Sequence, residues 1–316
     1  MTELPDGFAA GMTWGYPGTR GEWGTDAAAE SMGRLRDSLS ATWVTLAFTA
    51  LQDKAQSTTI NWREAPTVTD DEVIWAIREA KQLGLHVCLK PMINCADGTW
   101  RAFIDFLTPD VPVEPTWGQW FEAYTEYMVH FARIAEAEGV PLFCVGCEQV
   151  KSDRMADEWR ALIAAVREVY SCAVTYNCDK YQEDQVTWWD AVDVISASGY
   201  YPQGTWEEQL DRIEPVVREH GKPFLFLEGG CPSREGSPAN PNDWAHDGPT
   251  SEAAQDGWYR DMFAATAKRD WVRGFTLWDW KAILHAEQDG PSNSDYGMYG
   301  KAAQATVHAS YQEHRG

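Results

Sequence analysis

Two acidic residues stand where an acidic residue is expensive. Glu148 closes the apolar run Leu142-Phe-Cys-Val-Gly-Cys, and Glu228 closes Pro223-Phe-Leu-Phe-Leu. A carboxylate at the end of a buried strand must be paired or put to use. If both runs are strands of one parallel barrel, three strands apart, the carboxylates share a rim and face each other across a space the size of one sugar ring. Retaining glycoside hydrolysis needs such a pair roughly 5–5.5 Å apart, one group attacking the anomeric carbon while the other protonates the leaving oxygen. Two carboxylates that close resist joint ionisation, which separates the proton donor from the nucleophile. Strict strand alternation adds an expectation: an inward Glu148 takes Gly146 and Cys144 inward, and an inward Glu228 takes Phe226 and Phe224 inward, the small residues making room for the rings.

Other residues gather around this pair. Lys90 lies in the apolar run Val87-Cys-Leu-Lys-Pro-Met-Ile-Asn94, where an unpaired ammonium is costly, and Asn94 shares its face; a sugar hydroxyl or one of the glutamates is the expected partner. Tyr200 or Tyr201 offers a phenol to hold Glu228 ionised, and because adjacent residues point oppositely only one of them can do so. Trp278 and Trp280 fall on one face by alternation, so one of them can floor the sugar site, and Trp14 follows the first strand closely enough to face substrate. The 17 Trp outnumber the 12 Tyr and the 11 Phe, and indole faces are good platforms for sugar rings.

Competing chemistries lack their motifs. The histidines His86, His130, His220, His246, His285, His308 and His314 are scattered, with no H-x-H or H-E-x-x-H, so no metal site is expected. Cys144 and Cys147 have a metal-like spacing, yet residues i and i+3 of a strand point to opposite faces. No G-x-S-x-G, Walker or G-x-G-x-x-G sequence occurs, and no cofactor is implied.

The elements that must position these side chains alternate between short apolar runs and longer amphipathic ones, the pattern of a parallel sheet wrapped by helices. Eight strands are expected, at Phe8–Thr13, Trp43–Ala50, Leu85–Met92, Leu142–Cys147, Cys172–Asn177, Val192–Gly199, Pro223–Glu228 and Gly274–Trp280. Thr69 with Glu72, Thr116 with Gln119 and Thr205 with Glu208 read as capping boxes, and Gly84, Gly139 and Gly221 as helix ends. Trp120, Phe121, Tyr124, Met128, Phe131 and Ala135 form the buried stripe of one helix. Helix-to-strand connections are short, while Trp14–Gly24, Leu51–Thr69, Ile93–Pro115, Gly229–Thr250 and Lys281–Tyr296 are long and all follow strands. Irregular chain concentrated on one face is the mark of a (β/α)8 TIM barrel, whose active site lies at that face. We expect one such domain over residues 1–316, with no linker, repeat or low-complexity tract.

Taken in order, Gly11-Met-Thr-Trp-Gly, Val87 to Asn94, Val145-Gly-Cys-Glu148, Trp188-Trp-Asp-Ala-Val-Asp193, Ser198-Gly-Tyr-Tyr-Pro202, Phe226-Leu-Glu-Gly-Gly-Cys231 and Trp278-Asp-Trp-Lys281 resemble the strand-end signatures of glycoside hydrolase family 113, endo-β-1,4-mannanases of the clan A barrels. The resemblance runs from about Phe8 to Lys301. It implies a retaining hydrolase with Glu148 as acid/base and Glu228 as nucleophile, and it adds Lys281 to the expected substrate contacts. The wider clan carries Asn before the acid/base, where this chain has Cys147, so Asn94 or Asn177 is expected to replace that residue's hydrogen bond to the sugar 2-hydroxyl.

Composition agrees with an enzyme of this kind. A net charge of −22 repels nucleic acid and anionic membranes, which leaves a carbohydrate as the expected partner. Seven cysteines with no framework spacing, and no apolar leader after Met1, point to a reducing cytoplasm and to imported oligosaccharides as substrates. The alternatives are a clan A β-glycosidase of gluco, xylo or galacto specificity, and an inactive carbohydrate-binding barrel, which would have no use for both glutamates.

Overall fold

The computed structural model describes residues 4–245 and 247–314; His246 and the Met1 start lie outside the described residues. Eight parallel strands close in sequence order: β1 (Ala9–Trp14), β2 (Trp43–Gln52), β3 (His86–Cys95), β4 (Leu142–Cys147), β5 (Ala173–Cys178), β6 (Val194–Ser198), β7 (Phe224–Glu228) and β8 (Val272–Trp280). Among the described residues seven α-helices surround them: α1 (Asp26–Leu39), α2 (Asp70–Gln82), α3 (Trp117–Ala137), α4 (Ala156–Arg167), α5 (Trp206–His220), α6 (Glu252–Thr266) and α7 (Ala302–Glu313). This is the expected (β/α)8 barrel, with one economy: the β5–β6 crossover holds a 3-10 turn, Trp189–Ala191, in place of an α-helix. No described helix is long and apolar enough to cross a membrane.

Local chemistry explains most element boundaries. Thr69 and Glu72 exchange side-chain and backbone hydrogen bonds, as do Thr116 and Gln119, so both expected capping boxes start their helices. Thr205 does not: its backbone is already helical, and its hydroxyl donates backward to the Pro202 carbonyl at 2.8 Å. Gly84, Gly139 and Gly221 have φ of +77°, +61° and +60°, the left-handed conformation that ends a helix cheaply only at glycine.

The barrel interior is layered. Its lower layer is apolar, built from Ala9, Trp43, Cys88, Leu142, Ala173 and Leu225 among others. Above it the inward residues carry hydroxyls: Thr45 donates to Thr276 at 3.0 Å, and Thr175 and Ser196 lie 2.9 Å apart. The top layer, at the strand ends, is charged. Each buried hydroxyl finds a partner within the barrel, so the change from apolar to ionic occurs without orphaned groups in the middle layer.

Strict alternation fails near that top layer, and the cause is the same at three strands. Between β4 and β5 the register runs from Cys144 opposite Thr175 to Cys147 opposite Asn177, so β4 spends three residues where β5 spends two. Likewise β7 advances from Phe226 to Glu228 while β6 advances only from Ala197 to Ser198, and β8 advances from Leu277 to Trp280 while β1 advances from Met12 to Trp14. Each extra residue is a bulge, and it inverts the side-chain parity beyond it. Gly146 therefore faces outward, whereas Cys144 and Cys147 both face inward, against the expectation for an i, i+3 pair. Phe224 and Phe226 also face outward, packing on Trp271 and Trp206 with ring centroids 5.2 and 5.4 Å apart, while Leu225 and Leu227 fill the interior.

An outward Gly146 has a measurable consequence. A Cβ there would lie 2.7 Å from the Trp159 ring and 2.9 Å from the Tyr176 ring. Gly146→Ala is expected to cost about 1–3 kcal/mol, read as a lower midpoint of chemical denaturation. An unchanged midpoint would contradict the outward placement.

Candidate active site

The charged layer is assembled from β3 to β7 and from the segments that follow β3, β4, β5 and β6. Glu228, last in β7, is buried and makes three hydrogen bonds. Lys90 Nζ donates to its Oε1 at 2.6 Å, the Cys147 thiol donates to the same oxygen at 3.2 Å, and the Tyr200 hydroxyl donates to Oε2 at 2.9 Å. Burial pushes the Glu228 carboxyl up, but Lys90 and Arg101, together with the hydrogen bonds from Lys90 and Cys147, bring it below the ordinary carboxylate range. Lys90 is fully buried; burial opposes its charge, and the neighbouring Cys147 and Glu228 more than reverse that effect.

Glu148, directly after β4, is held differently. Arg101 Nη2 donates to its Oε2 at 2.8 Å and the Ser198 hydroxyl to its Oε1 at 2.7 Å. Its backbone sits at φ +52°, a left-handed conformation that is strained for a non-glycine residue. Arg101 also donates to the Asn94 Oδ1 at 2.9 Å and to the Cys147 carbonyl at 3.1 Å, so one buried guanidinium ties the β3 and β4 ends together. On the same side lies Asp179, whose carboxyl is pushed up to about 7, first by burial and then by Glu148.

The two carboxylates are close. An oxygen of Glu148, an oxygen of Glu228 and the Cys147 sulfur all lie within 4.8 Å of one another. The spacing fits double displacement, and it is too short for the roughly 6.5–9.5 Å that an inverting pair needs. The same three groups could in principle ligate a metal ion, a grouping that sequence spacing does not reveal. Each carboxylate, however, is already matched by a buried protein cation, so an added divalent ion would have to displace Lys90 or Arg101 or leave excess positive charge.

Of the residues expected at the site, Glu148, Glu228, Lys90, Asn94, Asn177, Tyr200 and Trp278 are brought together. Asn177 is fully committed: its Oδ1 accepts from Lys90 at 3.2 Å and its Nδ2 donates to Ser198 at 2.9 Å. Half-buried Asn94 donates to the Tyr16 hydroxyl at 3.0 Å. Trp278 packs with Tyr16, Tyr200 and Tyr296 at the barrel mouth, and its indole N–H has no protein partner among the described residues. Exposed Trp244 extends this aromatic group, 4.5 Å from Tyr296 between ring centroids. Lys281 stands at the rim, its Nζ 2.5 Å from Asp279.

Three expected residues lie elsewhere. Trp280 is turned outward by the β8 bulge and donates to the Ser31 carbonyl at 3.1 Å, while Trp14, its partner in register, donates to the Ser31 hydroxyl at 3.2 Å. Both belong to the layer between barrel and α1. Tyr201 points away from Tyr200, as adjacent residues must, and donates to Glu183, itself paired with Arg212 at 2.8 Å. Conversely, the reading of the sequence missed Arg101, Ser198, Tyr16 and Tyr296. Only Arg101 carried a signal: it is the sole basic residue between Ala96 and Thr116.

Comparison with known proteins agrees with this geometry. The family profile described as Glycoside Hydrolase Family 113 matches residues 12–301. Two solved GH113 β-1,4-mannanase structures, one of them a complex, are 48% and 49% identical to this chain; each covers 97% of it and 99% of its own chain, with a TM-score of 0.96. A GH113 β-mannanase from Alicyclobacillus acidocaldarius, in complex with ManMIm, is 40% identical, with 98% of each chain covered and a TM-score of 0.94. A β-D-glucuronidase from Dictyoglomus thermophilum, 16% identical over about half its length, shares the fold, with a TM-score of 0.67. No curated protein matches the chain.

Two outcomes follow from the ion pairs. Lys90→Met leaves a buried carboxylate uncompensated and is expected to cost about 3–5 kcal/mol. In the parent the folded Glu228 pKa lies below its unfolded value, so its stabilising ionisation is complete above the ordinary carboxylate range and is lost as pH falls through the depressed folded value. In the variant the acid limbs of both stability and activity should therefore move to higher pH; a stationary acid limb would contradict the pairing. Second, because protein cations already match the carboxylates, exhaustive chelation should leave turnover intact, and loss restored by one divalent ion would overturn the assignment of Lys90 and Arg101.

Proposed function

We propose, from the premise that this chain belongs to glycoside hydrolase family 113, that it cleaves β-1,4-mannosidic linkages with retention, using Glu228 as nucleophile and Glu148 as acid/base. The observation that carries the reading is the approach of the two carboxylates to within 4.8 Å on the ends of β4 and β7. The substrate is a chain of β-1,4-linked mannose, the class on which the similar mannanases act by name.

The roles follow from what holds each carboxylate. Glu228, kept ionised by Lys90 and oriented through Oε2 by Tyr200, is supplied as an anion to attack the anomeric carbon. Tyr200 is itself kept a phenol, since burial and then Glu228 push its ionisation well up, so it remains a donor. Glu148 has no lysine; its partners are Arg101 and Ser198, and the Asp179 carboxyl lies to its side. It gives a proton to the departing oxygen in the first step. In the second step it takes one from the water that opens the glycosyl ester. Trp278, with an uncommitted indole N–H, floors the reacting sugar. Both asparagines are hydrogen-bonded at each end, but Asn177 is fully buried while Asn94 is half-buried beside Tyr16 and Arg101, so Asn94 has the side chain that substrate can reach.

The roles separate kinetically. With an activated nitrophenyl mannoside, Glu148→Ala should keep the initial nitrophenol burst and then turn over slowly, azide accelerating it and yielding a β-mannosyl azide. Glu228→Ala should show no burst at all. A β-azide product from the Glu228 variant would reverse the assignment, and full activity in both variants would remove the site from this rim.

A further inference from the structure

Glu148 leaves β4 through a left-handed residue, and the peptide groups on either side of its side chain are both fastened to β5. Its own N–H donates to the Asn177 carbonyl at 2.8 Å. The next N–H, that of Gln149, donates to the Tyr176 hydroxyl at 3.1 Å, and Tyr176 in turn donates to Asp153 Oδ1 at 2.5 Å. Tyr176 lies on the outer side of the barrel wall, its ring 5.0 Å from Trp159 and 4.8 Å from Trp188, and Trp188 donates to the Asp153 carbonyl at 2.9 Å. The turn is closed from within by Ser152, whose hydroxyl donates to the Gln149 carbonyl at 2.8 Å. None of these groups can touch a sugar at the barrel mouth.

Asp153 is unlike the two glutamates. It is buried, it has no cation among the described residues, and its Oδ2 has no hydrogen-bond partner. Burial pushes its carboxyl up to about 7, with the Tyr176 hydrogen bond opposing and Asp179 adding to the rise. An unpaired buried carboxyl costs stability, and an apolar residue of similar size would avoid that cost. The geometry it supports is the return for that cost. A backbone held at φ +52° persists only where its surroundings over-determine it, and a small misplacement of a proton donor is costly to catalysis.

We propose that Tyr176 and Asp153 are positioning residues for Glu148: the Tyr176 hydroxyl, oriented by Asp153, clamps the Gln149 amide and so fixes the left-handed turn that aims the Glu148 carboxyl at the leaving oxygen. The proposal rests on the reading of Glu148 as acid/base. It assigns to a buried pair outside the barrel a share in proton transfer alone, with nucleophilic attack by Glu228 untouched.

The test uses the full chain with Tyr176→Phe, which keeps the ring packing and removes only the hydroxyl. On a β-1,4-mannooligosaccharide, whose leaving group needs a proton, kcat should fall at least about tenfold with KM within about twofold. On a dinitrophenyl mannoside, which needs no proton, the burst rate should stay within about twofold of the parent, and azide should accelerate later turnover. Asp153→Asn keeps an oxygen acceptor for Tyr176 and should retain most of the oligosaccharide activity, whereas Asp153→Leu should lose it while folding at least as stably. Equal slowing on both substrates, or no slowing on the oligosaccharide, would overturn the clamp. If Tyr176→Phe does not fold, the Asp153 pair decides: Leu behaving like Asn overturns it. Glu148→Ala run alongside separates the two readings, since normal acid/base behaviour there with an unaffected Tyr176→Phe defeats the clamp alone.

Discussion

The constraint on which this structure turns is electrostatic: two carboxylates held within 4.8 Å of each other in a buried layer cannot both be ionised without compensation. The chain answers with two buried cations of different kinds. Lys90 delivers a compact charge to Glu228 from inside the barrel, and Arg101 delivers a planar fork that reaches Glu148, Asn94 and the Cys147 carbonyl from the loop after β3. Neither cation tolerates burial alone. Lys90 is therefore also bonded to Asn177, which is bonded to Ser198, which is bonded to Glu148, so the two halves of the site are joined by an unbroken hydrogen-bonded chain.

This chain of bonds explains the layering beneath it. An apolar floor keeps water from the ion pairs and strengthens them, while the hydroxyl layer of Thr45, Thr175, Ser196 and Thr276 matches buried polar groups to one another. The bulges in β4, β7 and β8 belong to the same arrangement. Those in β4 and β7 bring Cys147 and Glu228 to the mouth although Gly146 and Phe226 face outward, and the one in β8 turns Trp280 outward although Trp278 faces the mouth, so the ring-filled wall against the helices and the polar mouth are built from neighbouring residues of the same strands.

Much of this was legible in the sequence because burial makes charge conspicuous. Glu148, Glu228 and Lys90 each interrupt an apolar run, and the long loops after strands announce the working face without any knowledge of contacts. What could not be read was whatever depends on one extra residue or on distant partners. Alternation assigned Phe226 and Trp280 to the interior because a bulge leaves no mark in the sequence, and it separated Cys144 from Cys147 for the same reason. Trp14 followed Trp280 outward, being its partner across β1 and β8. Thr205 had the residue spacing of a cap without the backbone. Ser198 and Tyr16 acquire meaning only from neighbours 50 or more residues away, Glu148 and Asn94.

The departure at Cys147 is informative for the same electrostatic reason. A buried thiol, its ionisation pushed well up by burial and then by Glu228, stays a neutral donor to that carboxylate and adds no charge to a crowded layer. The central claim, that Glu228 is the anion which becomes covalently bonded, is tested most directly by trapping. A 2-deoxy-2-fluoro-β-mannosyl fluoride should inactivate the enzyme, and peptide mapping by mass spectrometry should find one fluoromannosyl ester, on Glu228. An ester on Glu148, or turnover with inverted configuration and no adduct, would contradict it.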